Sequence, residues 1–192
     1  MVKNISGIGL MIYAATMLIF FSLYFFGMNI DYFNNTVILN AFLLPAVYLA
    51  GAFYSVHVWK KEGGLMNFTT IFGRSFKSMF LGGLLSVLTM FAFLNFVDKD
   101  AKNLLNYQYI ERQKTELNNE YEKAKMFLEE KEEIAELDKS YYMRLQSFSP
   151  EMVKDKDMFS FRQFTYYFGA IMIFYVILSV FFASFFRTRG VH

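Results

Sequence analysis

Residues 98–162 read DKDAKNLLNYQYIERQKTELNNEYEKAKMFLEEKEEIAELDKSYYMRLQSFSPEMVKDKDMFSFR, the one long polar stretch in an apolar chain. This segment holds 12 of the 19 Lys and Arg residues and 15 of the 17 Asp and Glu residues. It contains no glycine, and its single proline is Pro150. Because both flanks are nearly free of charge, the stretch predicts an extramembrane region set between membrane-spanning parts.

Four apolar runs flank this segment, three before it and one after it. They are Ile5–Gly27, Thr36–Trp59, Ser78–Val97 and Phe164–Phe186. Each has the length of about 20 residues that a helix needs to cross about 30 Å of hydrocarbon. The predicted fold is therefore an all-α integral membrane protein with four transmembrane helices and a long extramembrane helical segment between spans three and four. The chain divides into residues 1–97, 98–162 and 163–192, with a basic turn at 60–77.

Three features of the apolar runs carry further expectations. The first run could be a cleaved signal peptide, but its length and its bulky C-terminal residues favour a retained span. Pro45 lacks a backbone donor, so a kink is expected in the second span. Residues 68–77 are amphipathic, with phenylalanines on one side and Arg74, Ser75 and Lys77 towards the other. We expect this stretch to lie in the membrane interface and to lead into the third span.

The basic residues outside the long segment predict the orientation in the membrane. Seven of them share one side of the four-span arrangement: Lys3, Lys60, Lys61, Arg74, Lys77, Arg187 and Arg189. The short connector at 29–35 on the opposite side has none. The positive-inside rule therefore places both termini in the cytoplasm and the segment at 98–162 outside, since long loops are largely exempt from the rule.

The polar segment carries an apolar stripe with helical spacing. The stripe consists of Leu104, Tyr107, Ile110, Leu117, Tyr121, Ala124, Leu128 and Ala135. It predicts one helix over Lys99–Leu137, about 58 Å long, that continues the third span out of the membrane. Like charges one turn apart predict a weakening or bend within Glu129–Ser140.

The end of the polar segment predicts a short helix that returns the chain to the membrane. Ser149, Pro150 and Glu151 form a favourable helix start, because serine caps and proline suits the first helical position. The helix is expected over Pro150–Asp157. A helical hairpin, a single projecting helix and a disordered loop stay open as descriptions of the whole segment.

No set of catalytic residues emerges from the sequence, so we expect no enzymatic activity, no cofactor and no metal site. The two histidines, His57 and His192, have no shared placement, and the chain has no cysteine. His57 could bind a metal or relay protons, but its place beside Trp59 is typical of the aromatic belt at a membrane interface. A net charge of +2 gives no reason to expect nucleic acid as a partner.

Several short motifs resemble a known family of four-span membrane proteins. They are VWKKEGG at 58–64, Phe68, FGRSFK at 72–77, the helix start at Ser149–Glu151, and Gly169 and Ser179 in the last run. The chain resembles domain of unknown function family 4199 of Gram-negative bacteria. The resemblance implies an inner-membrane location, which makes the outer segment periplasmic, and it implies no known activity. Frequent proximity of such genes to a polyprenyl-phosphate glycosyltransferase gene implies a partner in that pathway.

The leading hypothesis is a non-enzymatic accessory or scaffold subunit of a bacterial inner-membrane complex, which binds partners through its transmembrane helices and its periplasmic helix. Beside the lipid bilayer, its partners would be other membrane protein subunits or a second copy of itself. The predicted partner-binding residues are Leu117, Tyr121, Ala124 and Leu128, because a short return helix cannot cover them. One alternative is a membrane partner of lipid-linked, polyprenyl-phosphate sugar synthesis or translocation. A second is a small transporter or channel with Asn40 and Asn95 along its path.

Overall fold

The computed structural model describes residues 4–153 and 156–188, and these residues form eight α-helices and no strand. The helices are α1 (Ile5–Gly27), α2 (Tyr32–Ile38), α3 (Leu44–Lys61), α4 (Phe68–Ala92), α5 (Lys99–Lys125), α6 (Lys131–Gln146), α7 (Pro150–Val153) and α8 (Phe161–Phe186). Two π-helical turns, Leu39–Leu43 and Phe93–Val97, join α2 to α3 and extend α4. The predicted all-α fold is confirmed.

Four helical stretches are long and apolar enough to cross a membrane. They are Ile5–Gly27, Tyr32–Lys61, Phe68–Val97 and Phe161–Phe186. The first has the bounds that the sequence predicts, and the other three are longer than predicted. We refer to the end of the bundle from which α5 departs as the hairpin side, and to the end with Lys60 and Lys61 as the basic side.

The centre of the bundle is α4, which packs against α1, α3 and α8. Glycines in α4 permit the close approach of its neighbours. A Cβ atom added at Gly82 would lie 2.7 Å from Cγ2 of Ile12 and 3.0 Å from the carbonyl oxygen of Gly9. One added at Gly83 would collide with the hydroxyl of Tyr175. Such close contacts between helices supply van der Waals attraction where lipid offers no hydrophobic driving force.

The expected disturbance near Pro45 takes the form of the π-helical turn at Leu39–Leu43. The N–H group of Leu44 bonds to the carbonyl oxygen of Leu39, five residues earlier. Pro45 has no N–H group to give to the carbonyl four residues before it, so the helical ladder widens at this point.

Residues 68–77 form the first part of α4 and lead directly into the third span, as the sequence predicts. Their place in the membrane interface stays a prediction. The basic turn between the second and third spans is correspondingly shorter, because α4 begins at Phe68. Arg74 and Ser75, expected on the polar side, are buried. The Nε atom of Arg74 donates to the carbonyl oxygen of Ser55 at 3.1 Å, and its guanidinium lies 4.6 Å from the ring centre of Trp59.

The third span and α5 of the polar segment are separate helices, so the prediction of one continuous helix is wrong. Asp98 has extended backbone angles, φ −130° and ψ 92°. It therefore interrupts the helical backbone between the third span and α5. Its carboxylate accepts hydrogen bonds from the N–H groups of Asp100 and Ala101, both at 3.0 Å. A capping carboxylate satisfies the free N–H groups at a helix start, so a helix can restart without glycine or proline.

The polar segment forms a helical hairpin of α5 and α6, which decides among the three descriptions that the sequence left open. The predicted helix over Lys99–Leu137 is wrong, because α5 ends at Lys125 and α6 runs back along it from Lys131. The turn at Met126–Glu130 overlaps the start of the expected bend at Glu129–Ser140. The predicted return helix starts at Pro150 and is described as far as Val153. Residues 154 and 155 of that prediction lie outside the described residues, and Lys156 and Asp157 are not helical.

Candidate functional site

The predicted partner-binding stripe lies beneath α6 of the same chain. Leu117 is only 4% exposed, and the ring of Tyr121 stacks on that of Tyr141 with ring centres 4.2 Å apart. Ala124 and Leu128 are half-buried. The premise that nothing in the chain covers this face is wrong, because the residues expected to prolong α5 form α6 instead. Partner binding by these four residues stays a prediction, and for Leu117 and Tyr121 it would require α6 to move away.

Polar contacts between α5 and α6 tie the two arms of the hairpin together. The Tyr121 hydroxyl donates to Oδ1 of Asp138 at 2.7 Å and accepts from Nζ of Lys125 at 2.7 Å. Chiefly the bond to Tyr121 raises the pKa of Lys125 above its usual value. Nearer the open end, Arg144 pairs with Glu120 at 3.3 Å. These groups are widely exposed, so each contributes little to stability and together they fix the register of α6 on α5.

The hairpin ends in two large apolar side chains that point into solvent. Met126 is 79% exposed and Phe127 is 85% exposed. Backbone hydrogen bonds from Phe127 to Ala124 and from Leu128 to Lys125 hold the turn. We call residues 126–128 the hairpin tip. Since α5 has 27 residues, the tip lies about 40 Å along the helix from Asp98.

Charge around the hairpin tip is strongly acidic. Between Glu120 and Glu136 the chain has seven glutamates and three lysines. The glutamates at 129, 130, 132 and 133 directly follow the tip and are exposed. An apolar tip surrounded by acidic residues is complementary to a protein surface that has an apolar pocket with a basic rim.

The first half of α5 is fixed to the connector between the first and second spans. The side chain of Gln108 donates to the carbonyl oxygen of Asn29 at 2.8 Å and accepts from the N–H group of Phe33 at 2.7 Å. Ala101 and Leu105 are buried against Tyr32. The spans therefore hold one end of the hairpin and leave the tip at the other.

The junction at Asp98 is a second fixed point. The Tyr24 hydroxyl at the end of α1 donates to Oδ2 of Asp98 at 2.6 Å. This bond and the backbone N–H groups of Ala101 and Asp100 hold the pKa of Asp98 below its usual value. Partial burial of the carboxylate acts in the opposite direction, but its effect is smaller. The carboxylate thus both caps α5 and connects it to α1.

A third fixed point joins α5 to the segment before α8. Lys102 donates to Oδ2 of Asp157 at 3.0 Å and to Oδ1 of Asn95 at 3.2 Å, while Asn106 donates to Oδ1 of Asp157 at 3.0 Å. Burial alone would raise the pKa of Asp157, but the hydrogen bonds from Asn106, Phe159 and Lys102 and the lysine charge lower it on balance. We call the contacts of Asp98, Gln108 and Asp157 together the anchor.

The asparagines of the transporter hypothesis do not share a site. Asn95 accepts a hydrogen bond from Lys102 at 3.2 Å and donates to the carbonyl oxygen of Phe159 at 3.0 Å. Asn40 is exposed on the π-helical turn of the second span. His57 is exposed and stacks on Phe53. In the described part of the chain, no three His, Cys, Asp or Glu side chains are grouped to hold a metal ion.

Sequence interpretation missed the hairpin tip and most of the anchor. Met126 and Phe127 stood beside Leu128, so they were absorbed into a presumed continuous helix. Gln108 and Asp157 carry no local pattern, because their partners are distant in sequence. Asp98 carried a usable signal: an N-cap residue followed by an acidic first turn marks a helix start.

Comparison with known proteins gives a family and no named relative. No curated protein and no solved structure matches the chain. The model of one family, "Protein of unknown function (DUF4199)", matches residues 8–188, which is nearly the whole chain. The resemblance noted in the sequence is thereby confirmed, and this four-span membrane protein with an anchored helical hairpin belongs to the DUF4199 family.

Proposed function

We propose that the protein is a non-enzymatic accessory or scaffold subunit of a bacterial inner-membrane complex. Its hairpin stands on the periplasmic side and binds a partner protein through the hairpin tip. The observation that carries this proposal is the exposure of Met126 and Phe127, at 79% and 85%, on a turn that is held in place. Large apolar side chains of this kind supply much of the binding energy of protein interfaces.

The proposed orientation is supported by the basic residues outside the hairpin. Five of them belong to the described part of the chain and lie towards the basic side: Lys60, Lys61, Arg74, Lys77 and Arg187. The connector at 29–35 has no basic residue. Under the positive-inside rule, the basic side faces the cytoplasm and the hairpin faces the periplasm.

A protein partner fits the tip better than a lipid surface does. Membranes with anionic lipids repel the glutamates that follow Phe127, whereas a basic rim on a protein attracts them. The anchor supports the same view, since it fixes the root of the hairpin and so limits the conformational freedom lost on binding. Roles in lipid-linked sugar chemistry or in transport stay predictions from the sequence.

Site-specific photo-crosslinking in intact cells tests this proposal. A benzophenone side chain replaces Phe127, and in a matched control it replaces Tyr142, which is 63% exposed on α6. We expect a discrete crosslinked protein band from position 127 and none of that band from position 142. Equal bands at both positions, or crosslinks to lipid alone at position 127, would overturn tip docking.

A further inference from the structure

A cleft lies between α5 and the segment that returns the chain to α8. It is open, has a volume of about 520 Å³, and runs from Lys102 to Lys114 along α5. Ile110 and Phe148 give it an apolar lining, and Tyr107 on its edge is 63% exposed. Three lysines, Lys102, Lys114 and Lys156, contribute to its polar part.

One end of the cleft lies at the boundary of the spans. Lys102 bonds to Asn95 in the last turn of the third span, and to Asp157, three residues before the N-cap of α8. The adjacent lipid-facing surface of the protein is aromatic. Phe96 and Phe161 are each 74% exposed, and the centre of each ring lies 6.0 Å from the ring centre of Phe91. A lipid tail against these rings would bring its headgroup to the cleft.

The charges in the cleft leave cationic donors available for an anion. Asp157 is paired with Lys102 at 3.0 Å, and Glu111 is paired with Lys114 at 2.8 Å. Lys156 has neutral partners, since it donates to the carbonyl oxygen of Ser147 at 2.8 Å and lies over the ring of Phe148. An ammonium group has three N–H donors, so each of these lysines, with one or two hydrogen-bond partners, keeps a donor for an anion.

We propose that this cleft binds the phosphate-bearing headgroup of an anionic phospholipid from the leaflet on the hairpin side. Lys156 and Lys114 donate to the phosphate oxygens, and Lys102 adds positive charge at the membrane end. The apolar lining at Ile110 and Phe148 receives the glycerol end of the lipid. The inference is independent of partner binding at the tip, because the cleft lies at the root of the hairpin.

Lipid titration of the purified full chain in detergent tests the proposal, with native mass spectrometry as the readout. Phosphatidylglycerol is compared with phosphatidylcholine for the wild type and for Lys114→Gln with Lys156→Gln. Each lysine near an anionic lipid surface contributes about 1 kcal/mol to the free energy of binding. The double variant should therefore bind phosphatidylglycerol about 10- to 30-fold more weakly. The matched control is Lys123→Gln with Lys139→Gln, which removes equal charge from exposed positions elsewhere on the hairpin.

The variant with Lys114→Arg and Lys156→Arg keeps the charge and should bind as the wild type does, which separates charge loss from misfolding. Equal binding of phosphatidylcholine would overturn the anionic-lipid assignment. An equal loss in the Lys123 and Lys139 control would show a general charge effect and overturn the site. Complete displacement of phosphatidylglycerol by inorganic phosphate in a detergent solution would assign the cleft to a free anion, and the lipid source would be wrong.

Discussion

The membrane bundle and the hairpin are both helical, but different contacts stabilise them. In the bundle, helices approach closely at Gly82 and Gly83, and buried hydroxyls such as Ser75 and Ser86 donate to carbonyls of their own helix. Between α5 and α6 of the hairpin, the buried Leu117 is joined by the half-buried stack of Tyr121 on Tyr141 and by exposed charged pairs. The bundle therefore supplies a rigid base, while the hairpin has fewer buried contacts and opens more easily.

The largest expected effect is on the bundle, from Gly82→Val in α4. A side chain at this position meets Ile12 and the backbone of Gly9 at 3.0 Å or less, and backbone cannot give way as a flexible side chain does. Overpacking of this kind costs about 3 kcal/mol, and we expect a lower thermal unfolding temperature in detergent. Gly73→Val is the matched control on the same helix, since nothing lies within 4 Å of a Cβ atom there. Equal losses in both variants would mean that α4 is not closely packed at Gly82.

The second effect is confined to the hairpin, from Leu117→Lys. Leu117 is 4% exposed beneath α6, so a lysine there must either bury its charge or push α6 away. We expect a loss of about 2 kcal/mol in the pairing of α5 with α6. Hydrogen exchange should accelerate in α6 and stay unchanged in the four spans. Met126→Lys is the control at an exposed position, and unchanged exchange in α6 of the Leu117 variant would contradict the packing described.

The contrast between the regions also explains which parts of the structure the sequence could predict. The spans follow from apolar runs of fixed length, and Ile5–Gly27 matches to the residue. The hairpin turn at Met126–Glu130 has no glycine or proline, and it depends on pairs such as Tyr121 with Tyr141, which are 20 residues apart. A periodic stripe shows that a helix has a packed face, but it does not show which element covers that face.

The third effect concerns the anchor at Asp98 and its dependence on pH. Asp98 and Asp157 both have lowered pKa values when folded, so their contribution to stability is present above the unfolded pKa of about 3.9. That contribution is lost as the pH falls through the lower folded values. We therefore expect the root of α5 to loosen below about pH 4 before the bundle unfolds.

Spin-label distances measure this loosening, because the chain has no native cysteine. Labels at Ile30 and Thr115, both exposed, report the separation of the connector and α5. Asp98→Ala should broaden the distances already at neutral pH, since loss of an N-cap costs about 1 kcal/mol. Asp98→Asn keeps a capping side chain and should weaken the pH dependence. A distance distribution that stays constant from neutral pH to about pH 3 would show that these carboxylates do not hold the hairpin.

The smallest effect on stability, and the sharpest separation of folding from function, is expected at the hairpin tip. Met126→Ser with Phe127→Ser removes side chains that are 79% and 85% exposed, so little buried area is lost. The free energy of unfolding should change by about 0.5 kcal/mol or less, whereas co-purification of the partner crosslinked at position 127 should fall. Tyr142→Ser with Met143→Ser, at exposed positions on α6, should leave the partner bound. If the tip variant instead opened α6 as Leu117→Lys does, the tip would belong to the hairpin core. If the partner were retained in full by a folded tip variant, the hairpin would bind through another surface.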